Sequence, residues 1–180
     1  MLKDIATLIQ TASWAVAVVG GAFAIWKHFA ESKEKRLWEK VKLAKQMLDQ
    51  LDANPRALDA AYMIGAWPRR TYRSEQSLEP FELEEHQLIV VLTPAYLPKT
   101  KNEQYVRECF DNFLFHVEQC IGASEQGLVE WEQLRPMLVT LFVGASQPVG
   151  RMLSMYASHL GYQRCAREVP GLVVTARAKH

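Results

Sequence analysis

Cysteine is scarce in these 180 residues, and its number is odd: Cys109, Cys120 and Cys165, with no C-x-x-C pair. That excludes a disulfide framework and points to free thiols in a reducing compartment. A charge surplus is missing too. The formal net charge is +1, so the chain as a whole carries no polyanion-binding signature, and nucleic acid is not an expected partner. There is no H-E-x-x-H and no Walker loop, and no serine or cysteine stands in the sequence context of a nucleophile. No cofactor is expected, and the chain reads as non-enzymatic. Glycine and proline are absent throughout residues 23–53, so nothing there breaks a helix.

Charge is also absent from one long stretch. Residues 5–26, IATLIQTASWAVAVVGGAFAIW, carry no ionisable side chain. At about 1.5 Å per helical residue, 22 residues reach roughly 33 Å, close to the thickness of a hydrocarbon core. A signal peptide is the competing reading, because Ala22-Phe23-Ala24 resembles a cleavage site. The barely positive leader MLKD and the length of the apolar run oppose it. The expectation is an uncleaved transmembrane helix.

Flanking charge sets its orientation. Only Lys3 precedes the run, whereas residues 27–45 hold seven Lys/Arg (Lys27, Lys33, Lys35, Arg36, Lys40, Lys42, Lys45) against three Glu. The positive-inside rule then predicts a single-pass inner-membrane protein, N-terminus outside and C-terminal domain cytoplasmic, with Trp26 as an interfacial anchor. Insertion is marginal for a solitary helix. Only Ile5, Leu8, Ile9, Val16, Val18, Val19, Phe23 and Ile25 insert strongly, at roughly 0.3–0.6 kcal/mol each.

The small and polar residues of the run are ordered. Ala6, Gln10, Ser13, Ala17, Gly20 and Ala24 alternate spacings of four and three, with Gly21 beside them. Small residues let helix backbones approach closely and glutamine bonds across helices, so this set is the candidate oligomerisation face, or the wall of a narrow pore. Lys27, Lys33, Lys35 and Arg36 are the candidate contacts to anionic headgroups; a solvated face with Glu/Lys pairs at helical spacing accounts for them equally.

Farther on, ESKEKRLWEKVKLAKQMLDQL keeps helical period, with Leu37, Val41, Ala44, Leu48 and Leu51 on one face and Trp38 and Met47 beside it. Asn54-Pro55 should end that helix and start another, which Pro68 stops. PRRTYRSEQSLEP (residues 68–80) reads as a loop. Residues 88–92 suit a helix or a short strand, and the helical surroundings favour helix. KNEQYVRECFDNFLFHVEQCIG is the clearest cytoplasmic helix, with Gly122 as its expected C-cap. Pro136 should kink or divide the next helix, about residues 128–143. A last helix over about residues 148–168 should stop at Pro170-Gly171 and leave LVVTARAKH frayed.

Two constellations carry a hint of chemistry. Cys109, His116 and Cys120 lie along one helical stripe, and Cys165 could complete a metal site, yet three ligands strung over three turns cannot all reach one ion. Buried thiols are the plainer reading. Arg107/His116 and Arg151/His159 invite comparison with the Arg-(four to six residues)-His signature of helical nucleases, but eight and seven residues intervene. Glu79, Glu82, Glu84 and Glu85 read as a solvated acidic face.

With its opening span, the Trp-bearing helix KRLWEKVKLAKQML and the later pair YVRECFDNFLFHVEQCIGASEQGLVEWEQLRPML, the chain resembles a group of uncharacterised bacterial single-span membrane proteins with a cytoplasmic helical domain. Its layout is also similar to small membrane accessory proteins of RNA-targeting CRISPR systems, a resemblance that implies oligomeric, pore-like assembly. The whole predicts an all-α chain: a transmembrane anchor over residues 1–30, a charged juxtamembrane helix over 31–53, a cytoplasmic helical bundle over 54–170 and a tail over 171–180. The functional expectation is a homo-oligomeric assembly or interaction protein whose partners are the bilayer, anionic headgroups and further copies of itself. A membrane-tethered helical nuclease is the alternative.

Overall fold

The computed structural model describes residues 2–65, 71–73 and 79–178, and of residues 2–25, 29 and 30 the backbone alone. The described residues form seven helices: α1 (Leu2–Ala53), α2 (Pro55–Ile64), α3 (Glu85–Val91), α4 (Lys101–Glu125), α5 (Trp131–Thr140), α6 (Gln147–His159) and α7 (Gln163–Ala178). The all-helical expectation holds, and residues 88–92 belong to α3 and its cap rather than to a strand. Extended pairing among the described residues is confined to one antiparallel bridge, Tyr72 with Phe81.

The chain divides into two compact units, Met1–Lys40 and Val41–His180, and the division falls inside α1. In the first unit the described side chains are mostly charged and exposed, with Lys27 Nζ 3.8 Å from the Glu31 carboxylate one turn on. Among the described residues no helix is long and apolar enough to cross a membrane. The single-pass placement, N-terminus outside and C-terminal domain cytoplasmic, is therefore corrected. The physical reason lies in the described side chains of α1, which begin at Trp26 and are dominated by charge. The side chains of Ala6, Gln10, Ser13, Ala17, Gly20, Gly21 and Ala24 lie outside the described residues.

The second unit is built around α4. Phe110, Phe113, Leu114 and Val117 on that helix are fully buried, and Phe113 meets Phe110 and Phe142 edge-on at 6.4 and 5.7 Å. α2, α5 and α7 pack directly on α4, α6 pairs chiefly with α7, and α3 touches both α4 and α6. The α6–α7 pair is close because Gly150 has no side chain: a Cβ there would lie 3.0 Å from Val173 Cγ2. At the end of α1, Ala44 and Leu51 enter the same core as their spacing predicts.

Helix starts follow local chemistry. Asn54 Oδ1 accepts the backbone N–H groups of Arg56 and Ala57, and Pro55 needs no partner for its nitrogen at the first turn. Thr100 and Glu103 form a reciprocal capping box, Thr100 Oγ1 accepting from Glu103 N at 3.2 Å and Glu103 Oε2 accepting from Thr100 N at 3.1 Å. Ser146 caps α6 by accepting from Val149 N.

Helix ends depart from expectation in two places. α4 runs through Gly122 and stops at Gly127, whose φ of +71° lets Leu128 N reach back to Ala123 O. Gly122 is buried instead, under the Arg164 guanidinium. The expected last helix is two helices, parted at Gly161 (φ +84°), where Tyr162 N returns to Ala157 O. α7 then passes straight through Pro170 and Gly171, and Leu172, Val173 and Ala176 of the expected frayed tail are buried. The proline is tolerated because the carbonyl it cannot pair with, on Ala166, accepts the Ser154 hydroxyl at 2.5 Å. Pro136 is likewise carried inside α5, on an exposed position.

Ser154→Ala removes that substitute donor and should destabilise the protein by about 1–2 kcal/mol, the cost of stranding a part-buried carbonyl. Combined with Pro170→Ala, which restores a backbone donor, the same substitution should cost much less. Urea midpoints of the four proteins in this double-mutant cycle check the coupling.

Candidate functional site

A polar concavity in the described part of the second unit lies where the end of α1 and the start of α2 meet the middle of α4. It is an open cleft of about 610 Å³ lined by Gln50, Ala53, Asn54, Pro55, Arg56, Asn112 and His116. One amide organises it. Because Asn54 Oδ1 is held by the two backbone N–H groups of α2, its Nδ2 is committed as a donor. That Nδ2 donates to Asn112 Oδ1 at 3.1 Å and faces His116 Nε2 at 3.4 Å. Asn112 Nδ2 donates in turn to the Glu108 carbonyl at 2.7 Å, and the Arg56 guanidinium lies 3.4 Å from the Glu108 carboxylate.

The geometry decides the state of His116. An unprotonated Nε2 is the form that can accept from Asn54, so the arrangement favours a neutral ring with its proton on Nδ1. Burial independently lowers the His116 pKa. An imidazolium here would set a ring N–H against the Asn54 amide hydrogens.

The cysteines are elsewhere. Cys109, Cys120 and Cys165 are all unpaired and buried. Burial is the main cause pushing the Cys109 thiol up to about 12 and the Cys120 thiol up to about 11, and it raises Cys165 too. Cys109 sits beside the Tyr105 hydroxyl, which donates to Asp59 Oδ2 at 2.7 Å. Among the described residues no group of three or more His, Cys, Asp or Glu side chains is arranged to hold a metal ion.

The Arg/His pairs separate as well. Arg107 stacks on the Tyr156 ring at 5.5 Å and donates to the carbonyls of Val91, Thr93 and Tyr96, closing the end of α3. His116 looks instead toward Asn54. Arg151 and His159 are both on the solvent side of α6, about 12 Å apart along the axis at 1.5 Å per residue. The four acidic residues are exposed, as expected; Glu85 accepts the hydroxyl of the cap residue Ser146 at 2.6 Å.

On α1 the described face is of another kind. Lys27, Lys33, Lys35 and Arg36 are exposed, and so are the large apolar side chains Trp26 (66%), Leu37 (48%) and Trp38 (67%). The sequence places Leu37 on a buried stripe with Ala44 and Leu51, and burial stops short of it. Asn112 escaped sequence reasoning altogether. Its only signal is the asparagine one turn before His116, and its partner Asn54 is 58 residues away.

No protein family, curated protein or solved structure matches the chain.

Two outcomes follow from the site. The folded protein refuses a proton on His116 that the unfolded chain accepts, so His116 stabilises fully above the ordinary histidine pKa of about 6.5. That stability should fall as pH drops from there toward the lowered folded pKa, and the fall should be shallower in His116→Gln, read as urea midpoint against pH. The thiols should react negligibly with a disulfide reagent at mild alkaline pH in the native protein, and all three should titrate in urea.

Proposed function

We propose that this chain is a non-enzymatic assembly protein, a helical domain whose first helix packs against the same helix of further copies. The observation that carries this reading is the pair Leu37 and Trp38, adjacent large apolar side chains left 48% and 67% exposed on α1. A buried Trp and Leu are worth several kcal/mol of contact. Together these two leave on the order of 200 Å² of apolar surface, about 5 kcal/mol gross before the costs of association.

The sequence supplies a seam that runs through Leu37. Leu2, Ile9, Val16, Phe23, Ala30, Leu37, Ala44 and Leu51 recur every seventh residue, all apolar. Ala6, Ser13 and Gly20 fall on the companion positions, so large and small residues alternate along the line. A strict seven-residue repeat favours supercoiling of helices about one another. The oligomerisation set Ala6, Gln10, Ser13, Ala17, Gly20, Gly21 and Ala24 thus lies on or beside this seam. Against the nuclease alternative stands Arg107, whose guanidinium is spent on three main-chain carbonyls.

Light scattering coupled to size exclusion, on the full chain, tests the proposal. The wild type should elute as an oligomer, and Leu37→Glu with Trp38→Glu should weaken assembly at least tenfold, as the loss of about 1.4 kcal/mol or more requires. Circular dichroism should be unchanged. A wild-type chain that stays monomeric at high concentration overturns the reading.

A further inference from the structure

The charges on α1 are sorted as well as numerous. At 3.6 residues per turn, Trp26, Lys33 and Lys40 fall on one line at seven-residue intervals, with Arg36 beside it, all within a sector of about 80°. None of the three acidic residues in this stretch shares the sector: Glu34 lies about 80° from the Trp26 direction, and Glu31 and Glu39 about 140° to either side. Lys27 is about 100° off the line and faces Glu31 at 3.8 Å. Trp26, Lys33 and Arg36 are exposed, and Lys40 is half-buried.

We infer that the line Trp26–Lys33–Arg36–Lys40 is a docking face for an anionic lipid surface, on which α1 rests lengthwise without crossing it. Charge complementarity selects the partner: every charged residue of the sector is basic, while the rest of this stretch mixes both signs. Its shape selects a plane. Side chains in one row over about 21 Å of a helix can all meet a flat array of phosphates together. An exposed indole at the end of a lysine row suits a headgroup boundary, which favours amphipathic aromatic side chains. The structure also sorts the four basic residues singled out by sequence, keeping Lys33 and Arg36 on this face and leaving Lys27 and Lys35 off it. The inference does not rest on self-assembly.

Co-sedimentation of the full chain with vesicles tests it, using phosphatidylcholine alone and phosphatidylcholine mixed with phosphatidylglycerol. Binding should require the anionic lipid and should collapse at 1 M salt, where the screening length is about 3 Å. Each basic residue removed from the line should weaken binding about fivefold, so Lys33→Gln with Arg36→Gln should lose about 25-fold, whereas Lys27→Gln should stay near wild type. Circular dichroism confirms that each variant keeps its helix. Equal binding to both vesicle types, binding to neither, or an equal loss for Lys27→Gln overturns the inference. Tighter binding to a single-stranded oligonucleotide than to anionic vesicles also overturns it, assigning the row to nucleic acid.

Discussion

A 25-residue helix buried on several sides must spend its polar side chains on its neighbours, and α4 does so along its length. Arg107 closes the end of α3 through three carbonyls. Asp111 receives the Tyr156 hydroxyl at 2.7 Å, and burial raises its pKa although that bond pulls the other way. Glu118, only 9% exposed, accepts the backbone N–H of Cys165 at 2.7 Å and the Arg164 guanidinium at 3.1 Å. It therefore caps the start of α7 where that helix has no local capping residue. Each of these groups would be costly to bury alone. Their partners come from α3, α6 and α7, so the arrangement of those helices is fixed by what α4 has to satisfy.

That constraint explains what was legible in the sequence and what was not. Helix type and the Asn54-Pro55 break were readable because each rests on a few neighbouring residues: apolar period, a capping amide, a proline at the first turn. Gly122 misled because a glycine after a helical run usually marks its end. Here Arg164, 42 positions later, packs over it, while the stop belongs to Gly127. Pro170 misled for a related reason. Whether a helix survives a proline depends on who takes the orphaned carbonyl, and Ser154 is supplied by a different helix. In both cases the deciding partner is distant in sequence and close in space.

The candidate site divides the same way. Cys109, His116 and Cys120 share a helical stripe on paper, and the period that aligns them is real. What separates them is the packing: the thiols face the apolar interior, and His116 sits at the rim, where Asn54 reaches it from 62 positions away. Asn54 had a readable role as a helix cap, and that role fixes the rest, because an amide whose oxygen is committed to the backbone can only donate from its nitrogen. The start of α2 thus presents a donor to His116 Nε2 and favours one tautomer of the ring. A cap residue and a titratable side chain, unrelated in sequence, become one unit.

On α1 the lesson runs in the opposite direction. There the sequence pattern is long-range and regular, while the compact folded unit, Val41–His180, begins only near its end. A helix that turns apolar, cationic and mixed sectors to its surroundings does not need all of them for one contact. Leu37 and Trp38 present apolar area; Lys33 and Arg36 present charge. The apolar area gains most from a partner that excludes water, and the charge gains most where counterions are displaced from a dense anionic array. Those are different partners, and around α1 Trp38 lies about 120° from the Trp26 direction while Leu37 borders the cationic line. Exposed apolar area and sorted charge on one helix thus pose two separate physical demands, exclusion of water and neutralisation of charge, that the fold of residues 41–180 does not itself meet.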